Sequence, residues 1–128
     1  MKERTKFPDQ LDPWGGLHLP HARVLRALEE RHPRVLSRND LAAHIGYSEI
    51  SGTISIALNG IRKGSSTGPA HPGLLELGMV EKLYQDGRVR GMGYRITQRG
   101  REAMVGVGPL PSLRDQEACK NWRYKGRP

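Results

Sequence analysis

The sequence predicts a small α+β domain in which short helices precede and follow a two-stranded hairpin. Apolar residues at helical spacing, such as Val24, Leu25 and Leu28, indicate amphipathic helices. Residues 79–84 and 94–97 alternate as strands do, and they enclose a glycine-rich turn at 85–93. A length of 128 residues, with 36% hydrophobic and 5% aromatic residues, fits one domain with a small core.

The first helix is predicted from Pro20 to about His32. Proline suits a first helical position because its fixed φ is helical and it lacks only an N–H that would be unpaired there. Pro33 ends the helix. Val35 and Leu36 then have room for a very short strand.

The second helix is predicted to begin after Ser37, which has Asp40 three residues later in a capping-box arrangement. Gly46 is expected to end it, since glycine adopts positive φ without steric cost. The buried side of this helix is expected to comprise Leu41, Ala42 and Ile45.

The third helix is predicted over about residues 51–63, with Ser48 or Ser51 as its N-cap. Its apolar stripe is expected to comprise Ile54, Ala57, Leu58 and Ile61. The opposite surface is polar and mostly uncharged, although Ile56 also lies on it. Gly60 and Gly64 weaken the end of this helix.

Further elements follow from turn and cap signals. Residues 64–71 form a loop by composition, Pro72 is expected to open another short helix, and Gly78 is expected to turn the chain. Thr97 is a candidate cap for a closing helix.

Three regions are predicted along the chain. Residues 1–17 form a flexible N-terminal arm, residues 18–105 the folded domain, and residues 106–128 a linker, a short helix and a basic tail. Ser112 and Asp115 are spaced as a capping box for that short helix.

The charge distribution favours a polyanionic partner. The formal net charge is +8 and the isoelectric point is about 10.2. Residues 18–105 carry 13 bases against 8 acids, and residues 106–128 carry 5 against 2. DNA, RNA and an anionic membrane all fit a basic excess of this kind.

The order of these elements resembles the winged helix-turn-helix fold of prokaryotic DNA-binding proteins. The residues that carry the resemblance are DLAAHIGYS at 40–48, ALNG at 57–60, LLELGMVE at 74–81 and YRITQRGREAM at 94–104. The resemblance covers about two-thirds of the chain, from residue 20 to residue 104. It implies a three-helix core with a small β-hairpin wing.

The resemblance also implies double-stranded DNA binding, with the third helix (about 51–63) in the major groove and the wing (about 85–95) on the backbone or minor groove. Base contacts would come from the third helix, and phosphate contacts from its end and from the wing. The implied DNA-binding residues are Ser51, Thr53, Ser55, Ile56, Asn59, Arg62, Lys63, Ser65, Ser66, Arg88, Arg90 and Arg95. Asn59 would pair with adenine, and Ile56 would pack on a thymine methyl group.

Such a protein would act as a transcriptional regulator or as the DNA-reading subunit of a larger system, either as a monomer or as a homodimer. Two alternatives remain open. The chain would instead be an RNA-associated or ribosome-associated winged helix that uses its wing and tail, or a winged helix that contacts an acidic protein.

Other classes of function are disfavoured. Cys119 is the sole cysteine, so an internal disulfide and a cysteine zinc site are excluded. A cytoplasmic location is expected, with nucleoid association if the chain binds DNA. The five histidines form no ligand pattern. We therefore expect no metal or other cofactor. We expect no enzyme activity, because no nucleophile motif or acidic cluster is present. We expect no membrane partner, because no long apolar run occurs.

Overall fold

The computed structural model of the protein describes residues 17–47, 52–61, 71–84 and 92–124. Its helices are α1 (Leu19–Arg31), α2 (Arg38–Ile45), α3 (Thr53–Asn59), α4 (Gln98–Ala103) and α5 (Gln116–Asn121). Its strands are β1 (Gly60–Ile61), β2 (His71–Pro72), β3 (Val80–Tyr84) and β4 (Met92–Ile96). The predicted α+β class is confirmed. The predicted N-terminal arm lies outside the described residues except Leu17, which is buried in the core.

Helix α1 is the centre of the domain. It packs against α2, α3, α4 and β4. Its side chains Val24, Leu25 and Leu28 are fully buried, as their helical spacing predicted. Removing a side chain of this size from water contributes about 1.5–3 kcal/mol each, so this stripe is a main source of stability. The predicted helix at 20–32 is confirmed to within one residue at each end.

Helix α2 begins and ends as predicted. The Asp40 backbone N–H donates to Ser37 Oγ at 3.1 Å, and the Ser37 N–H donates to Asp40 Oδ2 at 3.1 Å. The box therefore satisfies two backbone donors at the start of the helix. Gly46 ends α2 with a φ of 105°, a left-handed conformation that favours glycine.

The third helix is shorter than predicted. Gly52 is the N-cap of this helix, and no side chain caps it, so the prediction of a serine N-cap is wrong. Ser48 and Ser51 themselves lie outside the described residues. The helix ends at Asn59 rather than near residue 63 because Gly60 takes a φ of 82° and enters β1. β1 pairs antiparallel with β2, and this long-range pairing replaces the last predicted turn.

The segment after β2 connects α3 to the hairpin. The Leu74 N–H donates to Ala57 O at 2.9 Å, and the Leu75 N–H donates to Leu58 O at 3.1 Å. These bonds satisfy two carbonyls at the end of α3. The helix predicted to open at Pro72 is wrong: Pro72 lies in β2, and residues 74–78 form a turn that ends at Gly78, with a φ of 75°.

The hairpin is a regular antiparallel pair whose register sets Val80 opposite Ile96 and Glu81 opposite Arg95. Leu36 adds an isolated bridge to Tyr94, with N···O distances of 2.9 and 2.8 Å. The short strand expected at residues 35–36 is thus a single bridge on the outer side of β4.

The C-terminal region folds back onto the domain. Thr97 caps α4 as predicted, since its Oγ1 accepts from the Gly100 N–H at 3.1 Å. The cap of α5 is Asp115, whose Oδ1 accepts from the Ala118 N–H at 3.0 Å, and the predicted role of Ser112 in a capping box is wrong. The Tyr124 hydroxyl donates to Ala103 O, which fixes the end of the described chain to α4.

Candidate nucleic-acid interface

The outer surface of α3 carries four of the predicted site residues. Ile54, Ala57 and Leu58 point into the core and are 3% exposed or less, which confirms the predicted apolar stripe for these residues. The four site residues between and beside them are outward: Thr53, Ser55 and Ile56 are half-buried, and Asn59 is exposed.

Helix α3 carries no charged residue over Thr53–Asn59. Short hydroxyl side chains permit close approach to another surface, and a half-buried isoleucine among them adds an apolar contact. A surface of this kind suits direct contact with base edges better than phosphate contact, which would need cations.

The Asn59 amide is held against its own helix. Its Nδ2 donates to Ser55 O at 3.1 Å and to Ser55 Oγ at 3.3 Å. Both bonds use the amide nitrogen, so they orient the side chain along the helix. Bidentate pairing with adenine uses the amide oxygen and nitrogen together, so such pairing would require Asn59 to release at least part of this arrangement.

Arg95 on β4 forms an ion pair with Glu81 on the neighbouring strand β3. Its Nε and Nη2 both lie 3.0 Å from Glu81 Oε2, and both side chains remain more than one-third exposed. The sequence shows six bases and one acid between Lys82 and Arg101, but that interval stops one residue short of Glu81. The strand register places Glu81, which the count of charges over residues 82–101 leaves out, directly opposite Arg95.

The remaining predicted site residues fall outside the described part of the chain. They are Ser51 before α3, Arg62, Lys63, Ser65 and Ser66 between β1 and β2, and Arg88 and Arg90 between β3 and β4. Because β1 pairs with β2 and β3 pairs with β4, the two basic segments leave from the ends of two hydrogen-bonded strand pairs.

Helix α1 determines how α3 and the hairpin are placed, because it packs against both α3 and β4. The backbone bonds from residues 74 and 75 to the end of α3 provide a second connection. The five placed site residues therefore lie on helix α3 and strand β4, which both pack against α1, rather than on independent loops.

Sequence reasoning missed a buried arginine beside this region. Arg23 is 8% exposed, and its Nη1 donates to the Tyr47 hydroxyl at 2.9 Å. Tyr47 is the first residue after Gly46, in the segment that leads to α3. The partners of Arg23 come from segments far away in the chain, so no local sequence signal could reveal these contacts.

Two kinds of site have no support in the described residues. No three His, Cys, Asp or Glu side chains there are grouped as metal ligands would be. Within the same residues, no helix is long and apolar enough to cross a membrane.

Comparison with known proteins adds no family to this geometry. Neither a scan against protein-family models nor a search of curated proteins gives a match to the chain.

Proposed function

We propose that this protein is a winged helix-turn-helix protein that binds double-stranded DNA, with α3 as its recognition helix and the β3–β4 hairpin as its wing. The observation that supports this most is the surface of α3. Its outward positions hold Thr53, Ser55, Ile56 and Asn59, side chains suited to base edges, and none of them is charged.

The arrangement around α3 supports the same proposal. Helix α2 ends at a left-handed glycine and leads within seven residues to α3, a spacing compatible with a helix-turn-helix. The hairpin follows, and Leu36 adds a bridge to its second strand, a pattern compatible with a winged helix. The net charge of +8 supplies attraction to phosphates that α3 itself lacks.

We infer a role as a transcriptional regulator or as the DNA-reading subunit of a larger assembly. Its working form would be a monomer on a single site or a homodimer on a palindromic one.

Fluorescence anisotropy with duplex DNA, single-stranded DNA and structured RNA, each over a salt series, tests the proposed function. We expect a preference for duplex DNA, with a component of the binding free energy that persists as salt rises, because base contacts release few counterions. Equal and fully salt-sensitive binding to all three would mean that net charge alone explains the affinity. A preference for structured RNA would favour an RNA-associated role instead.

A further inference from the structure

Arg23 is a buried cation whose hydrogen-bond partners within the described part of the chain are all neutral groups. It is 8% exposed. Besides the Tyr47 hydroxyl, its guanidinium donates to Pro111 O at 3.0 Å and to Ser112 O at 3.5 Å, and it lies 3.0 Å from Cys119 Sγ. Among the residues that the structure describes, no carboxylate lies within ion-pair distance of it.

This arrangement is energetically unusual. Arginine stays protonated in proteins, and removing a guanidinium from water is costly unless an opposite charge stands beside it. Hydroxyl and carbonyl dipoles compensate for part of this cost. A site that keeps a buried arginine without an anionic neighbour is therefore favourable for an anion.

A cleft next to Arg23 provides room for such an anion. It is open to solvent and has a volume of about 160 Å³ between α1, α2 and residues 110–113. This is close to the volume of about 150 Å³ at which a protein cavity holds benzene. Part of its lining is apolar, from Ala27, Ile45 and Leu113.

Arg26 adds a second guanidinium to the lining, one helical turn after Arg23. Its Nη2 donates to Val107 O at 2.9 Å, and its Nε lies 3.4 Å from Glu29 Oε1. That Nε is buried and makes no hydrogen bond within the described part of the chain. Two guanidiniums on one wall match a carboxylate, which accepts paired N–H donors.

The other charged groups in the cleft limit the charge of the ligand. Glu30 also lines it and is paired with His44 at 2.9 Å. A nearby carboxylate disfavours a doubly charged anion such as phosphate more than a singly charged one.

We propose that this cleft binds a small organic monocarboxylate, with its carboxylate beside Arg23 and Arg26 and its apolar part against Ala27, Ile45 and Leu113. Binding would also stiffen the Arg23–Tyr47 contact at the approach to α3. An effect of the ligand on DNA affinity rests on the proposed function, whereas binding of the ligand does not.

The test is an NMR titration of the full ¹⁵N-labelled chain at constant ionic strength with sodium benzoate, sodium butyrate, inorganic phosphate and sodium chloride. We expect saturable shifts at Arg23 Nε and at the amides of Tyr47, Ser112 and Leu113 with at least one carboxylate. Phosphate and chloride should leave these signals close to their starting positions. Shifts that never saturate, or that occur in the hairpin or the tail instead, would overturn the proposal.

Arg26→Gln is the principal variant, because the Arg26 side chain is 26% exposed and is not part of the buried apolar core. Arg114→Gln is the matched control, an exposed arginine outside the cleft. Loss of a charged hydrogen bond should weaken carboxylate binding roughly tenfold or more in Arg26→Gln alone. Equal dissociation constants for the two variants would also overturn the proposal. No step of this test uses DNA, so its outcome is independent of the proposed function.

Discussion

Glu81 and Arg95 lie directly opposite each other on the two hairpin strands, and Arg95 Nε donates to Glu81 Oε2 at 3.0 Å. Arg95 belongs to the residues proposed to contact DNA, yet its guanidinium already has an anionic partner. A phosphate must compete with Glu81 for it. The hairpin is therefore less strongly basic at this position than its sequence suggests.

We predict that Glu81→Gln increases the affinity for non-specific duplex DNA and steepens its log–log salt dependence, by about 0.9 if Arg95 gains one phosphate contact. The same change should lower the free energy of unfolding by roughly 0.2–1 kcal/mol, the usual size of an exposed cross-strand pair. Anisotropy over a salt series and urea denaturation measure the two effects. Glu76→Gln, which removes an exposed acid elsewhere, is the control. Identical salt slopes for the two variants would show that Arg95 does not reach phosphate.

Gly100 is packed against the backbone that precedes β3. A Cβ built there would lie 2.2 Å from Met79 O and 2.7 Å from Ile96 Cγ1. We expect Gly100→Ala to destabilise the domain by about 1–3 kcal/mol, as over-packing typically does. Gly108→Ala is a matched control, since nothing lies within 4 Å of its Cβ position. Equal thermal midpoints for the two variants would contradict this packing.

Much of the fold could be predicted because its signals are local. The Ser37–Asp40 box, the left-handed Gly46 and the Thr97 cap each depend on residues within a few positions, and the structure confirms all three. The end of α3 could not be placed, because it depends on β1 pairing with residues ten or more positions away. The low helix propensity of Gly60 indicated that the helix would be weakened there, but it did not indicate that a strand would follow.

The candidate site was predictable to a smaller extent. The outward position of Asn59 followed from helical spacing, whereas its contact with Ser55 depends on a rotamer that spacing does not determine. The Glu81–Arg95 pair depends on strand register, which becomes visible only once the hairpin is built. The environment of Arg23 required knowledge of where the C-terminal segment docks.

The capping box of α2 gives a local test of stability. We predict that Ser37→Ala costs about 0.5–2 kcal/mol, because it leaves the Asp40 N–H without its acceptor. Asn39→Ala, at an exposed position in the same turn, should cost much less. Urea denaturation curves of the two variants measure the difference. A cost for Asn39→Ala that matches the cost for Ser37→Ala would argue against the box.

The buried arginine should hold the C-terminal segment in place. We expect Arg23→Met, which keeps an apolar side chain in the helix, to release residues 107–119 because three of its contacts are to that segment. Limited chymotrypsin digestion followed by mass spectrometry should then show faster cleavage after Leu113. Arg31→Met, an exposed arginine at the end of α1, is the control. A cleavage rate in Arg23→Met equal to that of the wild type would contradict a role for Arg23 in holding the C-terminal segment.

The central claim is that α3 reads DNA, and the contribution of Asn59 tests it most directly. A duplex selected by the wild-type chain from a random pool would be measured with wild type, Asn59→Ala and Asn121→Ala, the last an exposed asparagine on α5. We predict that Asn59→Ala weakens binding to the selected duplex by about 1–3 kcal/mol while binding to non-specific duplex is unchanged. Asn121→Ala should leave both unchanged. Equal affinities of Asn59→Ala and Asn121→Ala for the selected duplex would contradict a base-reading role for α3.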